Sequence, residues 1–407
     1  MRFEQPKGTP GALGELDYTN LTWDKPWNQY RGQLTSIERM PSYVLEPCGP
    51  AIALTYGNEL DAQQLELTDS LTGRSIDLET FLQRRLFSDG LLIAHRGQVI
   101  YEKYFNGFEP SDQHLIHSCT KTLTTMQIGL AVQEAKIDLA SPVTKYVEEL
   151  AGIKAWQSVS VQNLLDMATG VQSDEHYENL SSMYYEYANA IGYWGEQNSK
   201  LTGALDFVAT KLINQDCSPA TKFNYASYNT NLLAVMLERT YQKPAAALYE
   251  ADLFQKSGPE FEAFLNADPQ GVPIIEGHLN LTLRDFYRWA SMLHNDGKNL
   301  RGEQVIAESW VQDWVKHSDT RKAAFERSEY AGLFAEGQYH NQLWLPDCQN
   351  GISAMLGIYG QFCYSDRERD LLIIGLSSYP ELAPTLMTAH MQELWRAISN
   401  FVDAATI

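Results

Sequence analysis

Apolar and polar positions divide the chain into zones of different regularity. Up to about residue 75 the pattern is weakly periodic and rich in Pro, Gly, Tyr and Trp. That predicts an irregular N-terminal extension, residues 1–75, wrapping a core. Regular structure starts near Leu78. Gly90 to Arg96 is a short apolar run and Val99 to Phe105 a second one, rich in β-branched and aromatic residues; with Arg96-Gly97 between them they read as a hairpin. A polar loop follows, Asn106 to His117. Then Leu123, Met126 and Leu130 recur at helical spacing, widened by Ile128 and Ala131, so a helix begins at Ser118, a residue type suited to an N-cap. Val159 to Met167 reads as a further helix, which Gly170 stops.

Residues 171 to 300 read as mostly helical with loops, including a helix over Leu281 to Ala290 capped by Thr282. The pattern then returns to β. Ala354 to Tyr364 and Leu371 to Ser378 flank the charged stretch Ser365 to Asp370 as a second hairpin, and a last amphipathic helix runs from about Pro384 to Val402. Strands towards both ends with helices between predict an α/β (α+β) chain: one antiparallel sheet flanked by helices, built from 76–165 and 300–407, with a mostly helical region, 166–299, inserted.

Composition changes this picture little. The 407 residues carry a formal net charge of −20, which argues against nucleic acid and anionic membranes as partners. The first twenty residues lack an apolar stretch after a basic start, and no apolar run is long enough to span a bilayer, so a cytoplasmic protein is expected. The five cysteines, Cys48, Cys119, Cys217, Cys348 and Cys363, are odd in number, widely spaced and without a CxxC, which fits reduced thiols.

Candidate chemistry narrows by elimination. GxSxG, HExxH, P-loop and GxGxxG patterns are all absent. His114 and His117 are the one close histidine pair and read as incidental, so neither a metal nor an organic cofactor is expected. Ser118-Cys119-Thr120-Lys121 is an S-x-x-K. On a helix, i and i+3 share a face, which brings the Lys121 amine beside the Ser118 hydroxyl. Burial and the positive end of the helix favour a neutral lysine able to accept a proton. A capping serine with an exposed lysine one turn on is the bland alternative, and about one such tetrapeptide is expected by chance. The low charge of the helix from Thr122 to Gln133 favours the first reading. Cys119 is either a nucleophile in its own right or, more simply, a small apolar residue on the buried side.

From about residue 80 to about 400 the chain resembles the serine β-lactamase and penicillin-binding protein superfamily, in pattern nearest its esterase and 6-aminohexanoate-dimer hydrolase branch. The likeness is carried by the S-x-x-K, the strand pair Leu91 to Phe105, Val159 to Gly170 (similar to the family's LLTMTSG stretch), Leu281 to Phe286, Gly357 to Gln361, and the turn with Asp366 and Arg369. It implies a second element at Phe223 to Asn229, with Tyr225 handling protons through a phenol whose pKa a nearby ammonium lowers, and Ser227 at the polar third position; Tyr228 is the neighbouring rival. It implies a site-lining strand at Ile358-Tyr359-Gly360, with an oxyanion hole from the backbone N–H groups of Ser118 and Gln361. The basic residue usual in that strand is missing, which argues against substrates whose carboxylate must be held there, ordinary β-lactams included. Asp174, Glu175 or Tyr177 overhang the site by the same analogy, and His340 and Trp344 are candidates for its wall.

The expected function is therefore a serine hydrolase cleaving a small-molecule ester or linear amide through an acyl-enzyme on Ser118, with Lys121 and Tyr225 moving the protons. A β-lactamase or D-alanyl-D-alanine carboxypeptidase is the alternative enzyme, and a catalytically silent binding module the alternative of another class. Oligomeric state is open.

Overall fold

The computed structural model describes residues 1–4, 19, 21–177, 179–195 and 200–404. Fourteen strands occur in chain order among them: β1 Arg2–Glu4, β2 Ser42–Leu45, β3 Leu67–Thr68, β4 Ser75–Ile76, β5 Ser88–His95, β6 Gln98–Tyr104, β7 His114–Leu115, β8 Ala263–Asn266, β9 Leu279–Leu281, β10 Gln338–His340, β11 Leu343–Asp347, β12 Ile352–Gly357, β13 Gln361–Asp366 and β14 Leu371–Ser377. A seven-stranded antiparallel sheet runs β10-β11-β12-β13-β14-β5-β6. The hairpin β5–β6 joins β14 directly, so segments from the two halves of the chain meet in one sheet.

Alternation along the central strands explains the layers. Leu91, Ile93, Phe362, Tyr364, Leu371 and Ile373 face one apolar cluster, which holds the helix Thr385–Ala404 through Leu394, Trp395 and Ile398. Their neighbours Leu92, Ala94, Cys363, Leu372 and Ile374 face the other, which holds the helices Cys119–Gln133 and Leu283–His294. Side chains of successive strand residues point to opposite faces, so one apolar run covers both sides of the sheet. The Cys119–Gln133 helix is apolar nearly all round because protein surrounds it: Cys119 to Gly129 are all buried. A Cβ on Gly129 would lie 2.6 Å from the Trp310 ring, so only glycine lets that indole close on the helix.

Three expectations change. The stretch read as mostly helical also supplies β8 and β9, which enter a second antiparallel sheet of order β1-β2-β8-β9-β7. Part of the N-terminal segment is strand in that sheet rather than irregular wrapping; residues 5–18 and 20 of the extension lie outside the described residues. The apolar run Ala354 to Tyr364 is two strands, β12 and β13, broken by a tight turn at Ile358–Gly360 where Tyr359 (φ 61) and Gly360 (φ 93) are left-handed. The charged hairpin turn lies between β13 and β14, as its composition predicts. No helix among the described residues is long and apolar enough to cross a membrane.

Candidate active site

The site is built where β7 leads into the helix Cys119–Gln133. His117, just before Ser118, holds a left-handed φ of 46° and is buried with its Nε2 2.7 Å from the Gln33 side-chain oxygen. This strained entry throws Ser118 onto the helix start with helical backbone angles, and its hydroxyl caps nothing. The hydroxyl accepts a hydrogen bond from Lys121 Nζ at 2.8 Å instead. Lys121 is buried, and its second hydrogen bond goes to the main-chain oxygen of Glu276. Burial pulls its pKa below the ordinary lysine value, while Glu276 and Glu175 act through space in the other direction.

Tyr225 completes the group. Its ring centroid lies 5.0 Å from Lys121 Nζ, and its hydroxyl is hydrogen-bonded to Ser118. Trp344 stacks on it at 5.4 Å and 20°. The expected lowering of the phenol pKa does not hold. Burial raises it well above the usual value, Tyr339 and Glu175 add to this, and the Ser118 hydrogen bond opposes it only in part. Tyr225 is thus a neutral phenol near pH 7, equipped to donate a proton. Cys119 is buried with its thiol pKa raised by desolvation, which suits an inert thiol and not a nucleophile.

The other residues expected here separate into two groups. Tyr177 and Trp344 line the cavity that opens on Ser118 and Tyr225. Ser227 lies beside it, but its hydroxyl and amide both bind the Glu175 carboxylate, whose other hydrogen bond comes from the Tyr177 hydroxyl at 2.7 Å. Burial raises the pKa of Glu175, with Lys121 the main opposing influence. Asp174 lines a neighbouring depression, and its carbonyl takes the Tyr228 hydroxyl at 2.9 Å, which occupies that rival tyrosine. His340 is clamped between Asp166 (2.6 Å) and Asp313 (3.3 Å), outside the cavity.

The 358–361 element also sits differently from expectation. The turn directs the Tyr359 ring away from the cavity, against Trp23 and His117, with its hydroxyl 3.5 Å from Asp24. Gly360 packs on Ser377, and the Gln361 side chain is spent on the Ser377 and Tyr359 carbonyls at 2.7 and 3.1 Å. Gly357 and Ile358 line the cavity together with Ser118.

Sequence reasoning missed the apolar wall from Leu333, Leu356, Met387 and Met391, two of them on the last helix. The signal lay in that helix's methionines, which suit an adaptable apolar surface. Glu276 was missed altogether. Among the described residues, no group of three or more His, Cys, Asp or Glu side chains is placed to hold a metal ion.

Known proteins resemble the chain along most of its length. A family model described as Beta-lactamase matches residues 68–393. The chain belongs to that family. A 6-aminohexanoate-dimer hydrolase of Paenarthrobacter ureafaciens is 30% identical over 378 residues, covering 93% of this chain and 92% of the relative. A solved structure from Bacillus anthracis, described as a candidate 6-aminohexanoate-dimer hydrolase, superposes with a TM-score of 0.83 at 21% identity over 95% of this chain and 97% of its own. A family VIII carboxylesterase superposes with a TM-score of 0.54 at 12% identity, over 78% and 95%. The last two are likenesses of fold. The chain is accordingly a hydrolase of the β-lactamase-fold serine hydrolase family, as its sequence resemblance implies.

Proposed function

We propose that the protein cleaves a linear amide or carboxylic ester through an acyl-enzyme on Ser118. The observation that carries this is the 2.8 Å hydrogen bond between Ser118 Oγ and a buried lysine bonded only to neutral acceptors. Neutral Lys121 takes the hydroxyl proton as Oγ bonds to the carbonyl carbon. The oxyanion is assigned to the backbone N–H groups of Ser118, at the helix start, and of Ile358, which lines the cavity with it. Tyr225 gives its proton to the leaving nitrogen or oxygen and recovers one from the Lys121 ammonium. Water then attacks the acyl-enzyme by the same proton route in reverse, releasing the acid and restoring Ser118.

The substrate reading rests on the cavity walls. Leu333, Leu356, Met387 and Met391 form an apolar wall beside aromatic side chains, and the 358–360 turn carries no basic side chain, which suits an unbranched aliphatic chain better than an anionic bicyclic lactam. The mouth beyond Tyr177 and Tyr330 has Glu175, Glu329 and Glu381 in its lining, which favours a neutral or cationic far end. The name of the Paenarthrobacter relative points the same way, to a linear amide. The free thiols support a reducing compartment such as the cytoplasm.

Incubation with a fluorophosphonate, followed by intact mass and peptide mapping, tests the nucleophile: one adduct on Ser118 is expected, and none in Ser118→Ala. Turnover of linear ω-amino amides and short p-nitrophenyl esters ahead of nitrocefin is expected. The reverse order would sink the substrate reading in favour of a β-lactamase, and an unlabelled, inactive protein would favour a binding module.

A further inference from the structure

The segment Ile274 to Leu279 packs against the backbone of the nucleophile and supplies no residue to the cavity lining. Its closeness is measurable at Gly277, where an added methyl would sit 3.7 Å from the His117 carbonyl carbon and 3.9 Å from the Ser118 amide nitrogen. The segment is fixed from two sides. From the nucleophile helix, Thr120 Oγ1 accepts from the Leu279 amide, and Thr124 Oγ1 lies 3.3 Å from the Ile275 carbonyl. From the helix Ser227–Tyr241, Asn231 Oδ1 accepts from the amides of Ile275 (2.9 Å) and Glu276 (3.2 Å), and Asn231 Nδ2 donates to the Tyr187 hydroxyl at 2.7 Å.

This frame holds a carboxylate for which the reaction as described has no use. Glu276 is 5% exposed. Its carboxylate lies 3.5 Å from His278 Nδ1 and is hydrogen-bonded to Tyr187, while its main-chain oxygen anchors Lys121. An ionised group is expensive to bury unless a local charge or hydrogen bond compensates, so the chain maintains this one where it acts on Lys121.

We propose that Glu276 is a positioning residue for the base: its carbonyl aims Lys121 at Ser118, and its buried carboxylate is the fixed counter-charge for the ammonium that forms when Lys121 takes the proton. This rests on the reading of Lys121 as the base for Ser118. The geometry separates two needs. Hydrogen bonds to neutral acceptors leave Lys121 free to lose its proton, and a carboxylate acting through space holds its basicity high enough to take the next one. Burial keeps Glu276 dry, so its field is little screened by salt.

The groups that face Lys121 from the surrounding elements are Glu276, Glu175, Cys119, His117 and Tyr225. Those facing Glu276 are Lys121, His278, Tyr187, Tyr184 and Tyr193. Removing the negative charge makes Lys121 easier to deprotonate and a weaker base. Both effects can be read without knowing the natural substrate.

The test is the second-order rate of Ser118 labelling by a fluorophosphonate, followed against pH in the full chain, with near-UV circular dichroism as the check on folding. In the wild type the rate climbs with pH as Lys121 loses its proton. In Glu276→Gln the plateau is expected to fall roughly tenfold and the acidic limb to move down by about one pH unit. A purely structural role would lower the plateau and leave the limb in place, and an unmoved limb in a folded variant overturns the proposal. Should the glutamine variant not fold, Glu276→Asp keeps the charge but withdraws it by one methylene, and a smaller displacement in the same direction is expected; no displacement is again a refutation. Absence of wild-type labelling would bring down the reading of Ser118 and Lys121, and the proposal with it. Labelling with an unmoved limb removes the role of Glu276 alone.

Discussion

Arg288 and Lys121 are both cationic side chains taken out of water, 3% and 1% exposed, and the fold treats them in opposite ways. Arg288 is paired directly: it donates to Asp285 at 2.8 Å, to Glu260 at 3.3 Å and to the Ile52 carbonyl at 2.9 Å. Lys121 donates to a hydroxyl and a carbonyl, and feels Glu276 and Glu175 only through space. A buried guanidinium stays charged, so it must be neutralised by contact. A buried amine has the further option of giving up its proton, and leaving it without a contact ion pair keeps that option open. On the proposed function, direct pairing marks the structural cation and indirect pairing the reactive one.

Exchanging the two roles gives the largest expected effects. Lys121→Met should lower the rate of Ser118 labelling and of substrate turnover by about 10³-fold or more while the melting temperature changes little. Lys121→Arg should do the same, because a guanidinium cannot shed its proton. Arg288→Met should cost about 3–5 kcal/mol of stability by leaving Asp285 buried and unpaired, with activity lost only as folded protein is lost. Urea titration and labelling rates on the same samples separate these outcomes. Loss of fold in Lys121→Met would break the comparison.

Tyr225, the proposed proton donor, offers a smaller and more selective effect. Tyr225→Phe keeps the ring that stacks on Trp344 and removes the hydroxyl. Turnover of an aliphatic amide should fall about 10²-fold, because its leaving nitrogen needs a proton. A p-nitrophenyl ester, whose leaving group departs as an anion, should suffer much less. Equal losses on both substrates would mean that the hydroxyl positions Ser118 and does not donate.

How much of this was legible in the sequence depends on how local each feature is. Ser118 and Lys121 lie one helical turn apart in a run of low charge, so four residues and their helix were enough. The hairpins and the Thr282 cap were legible for the same reason. Tyr225 came only through the family likeness, since the bonds that distinguish it from other buried tyrosines cross from one segment to another. The turn at Ile358–Gly360 was hidden inside an apolar run because a tyrosine at φ 61° runs against local preference. Contacts outside the turn hold it: the Tyr359 amide donates to the Leu382 carbonyl, and the Tyr359 carbonyl accepts from the Tyr379 amide. Glu276 is placed by Asn231, more than forty residues away in sequence, and the second sheet joins short strands from distant segments. None of these has a local period to read.

His340 extends the comparison to a titratable cation with contact partners. Burial alone would lower its pKa, but Asp166 and Asp313 prevail and raise it above the usual histidine value. The folded-state pKa therefore exceeds the unfolded one. The stabilisation is complete below the unfolded value of about 6.5 and is lost as pH rises through the folded value. Denaturation midpoints should decline over that interval, and His340→Gln should flatten this part of the profile. A midpoint that rises with pH in the wild type and is unchanged in the variant would show that His340 is not held as a cation.

The smallest effect concerns the helix that carries Arg288. Thr282 Oγ1 accepts from the Asp285 amide at 3.1 Å, and the Asp285 carboxylate in turn receives the amides of Glu260 and Phe261 as well as Arg288. The cap thus fixes the start of the helix on which the paired cation and its carboxylate both ride. Thr282→Ala removes one acceptor but leaves the ion pair intact, so about 1 kcal/mol of stability should be lost, far less than for Arg288→Met. Catalytic parameters should move little, because Lys121 hydrogen-bonds to Ser118 and Glu276 and not to this helix end. If Thr282→Ala instead cost as much as Arg288→Met, the pair would depend on the cap for its geometry, and direct pairing would be a property of the whole helix start and not of two side chains.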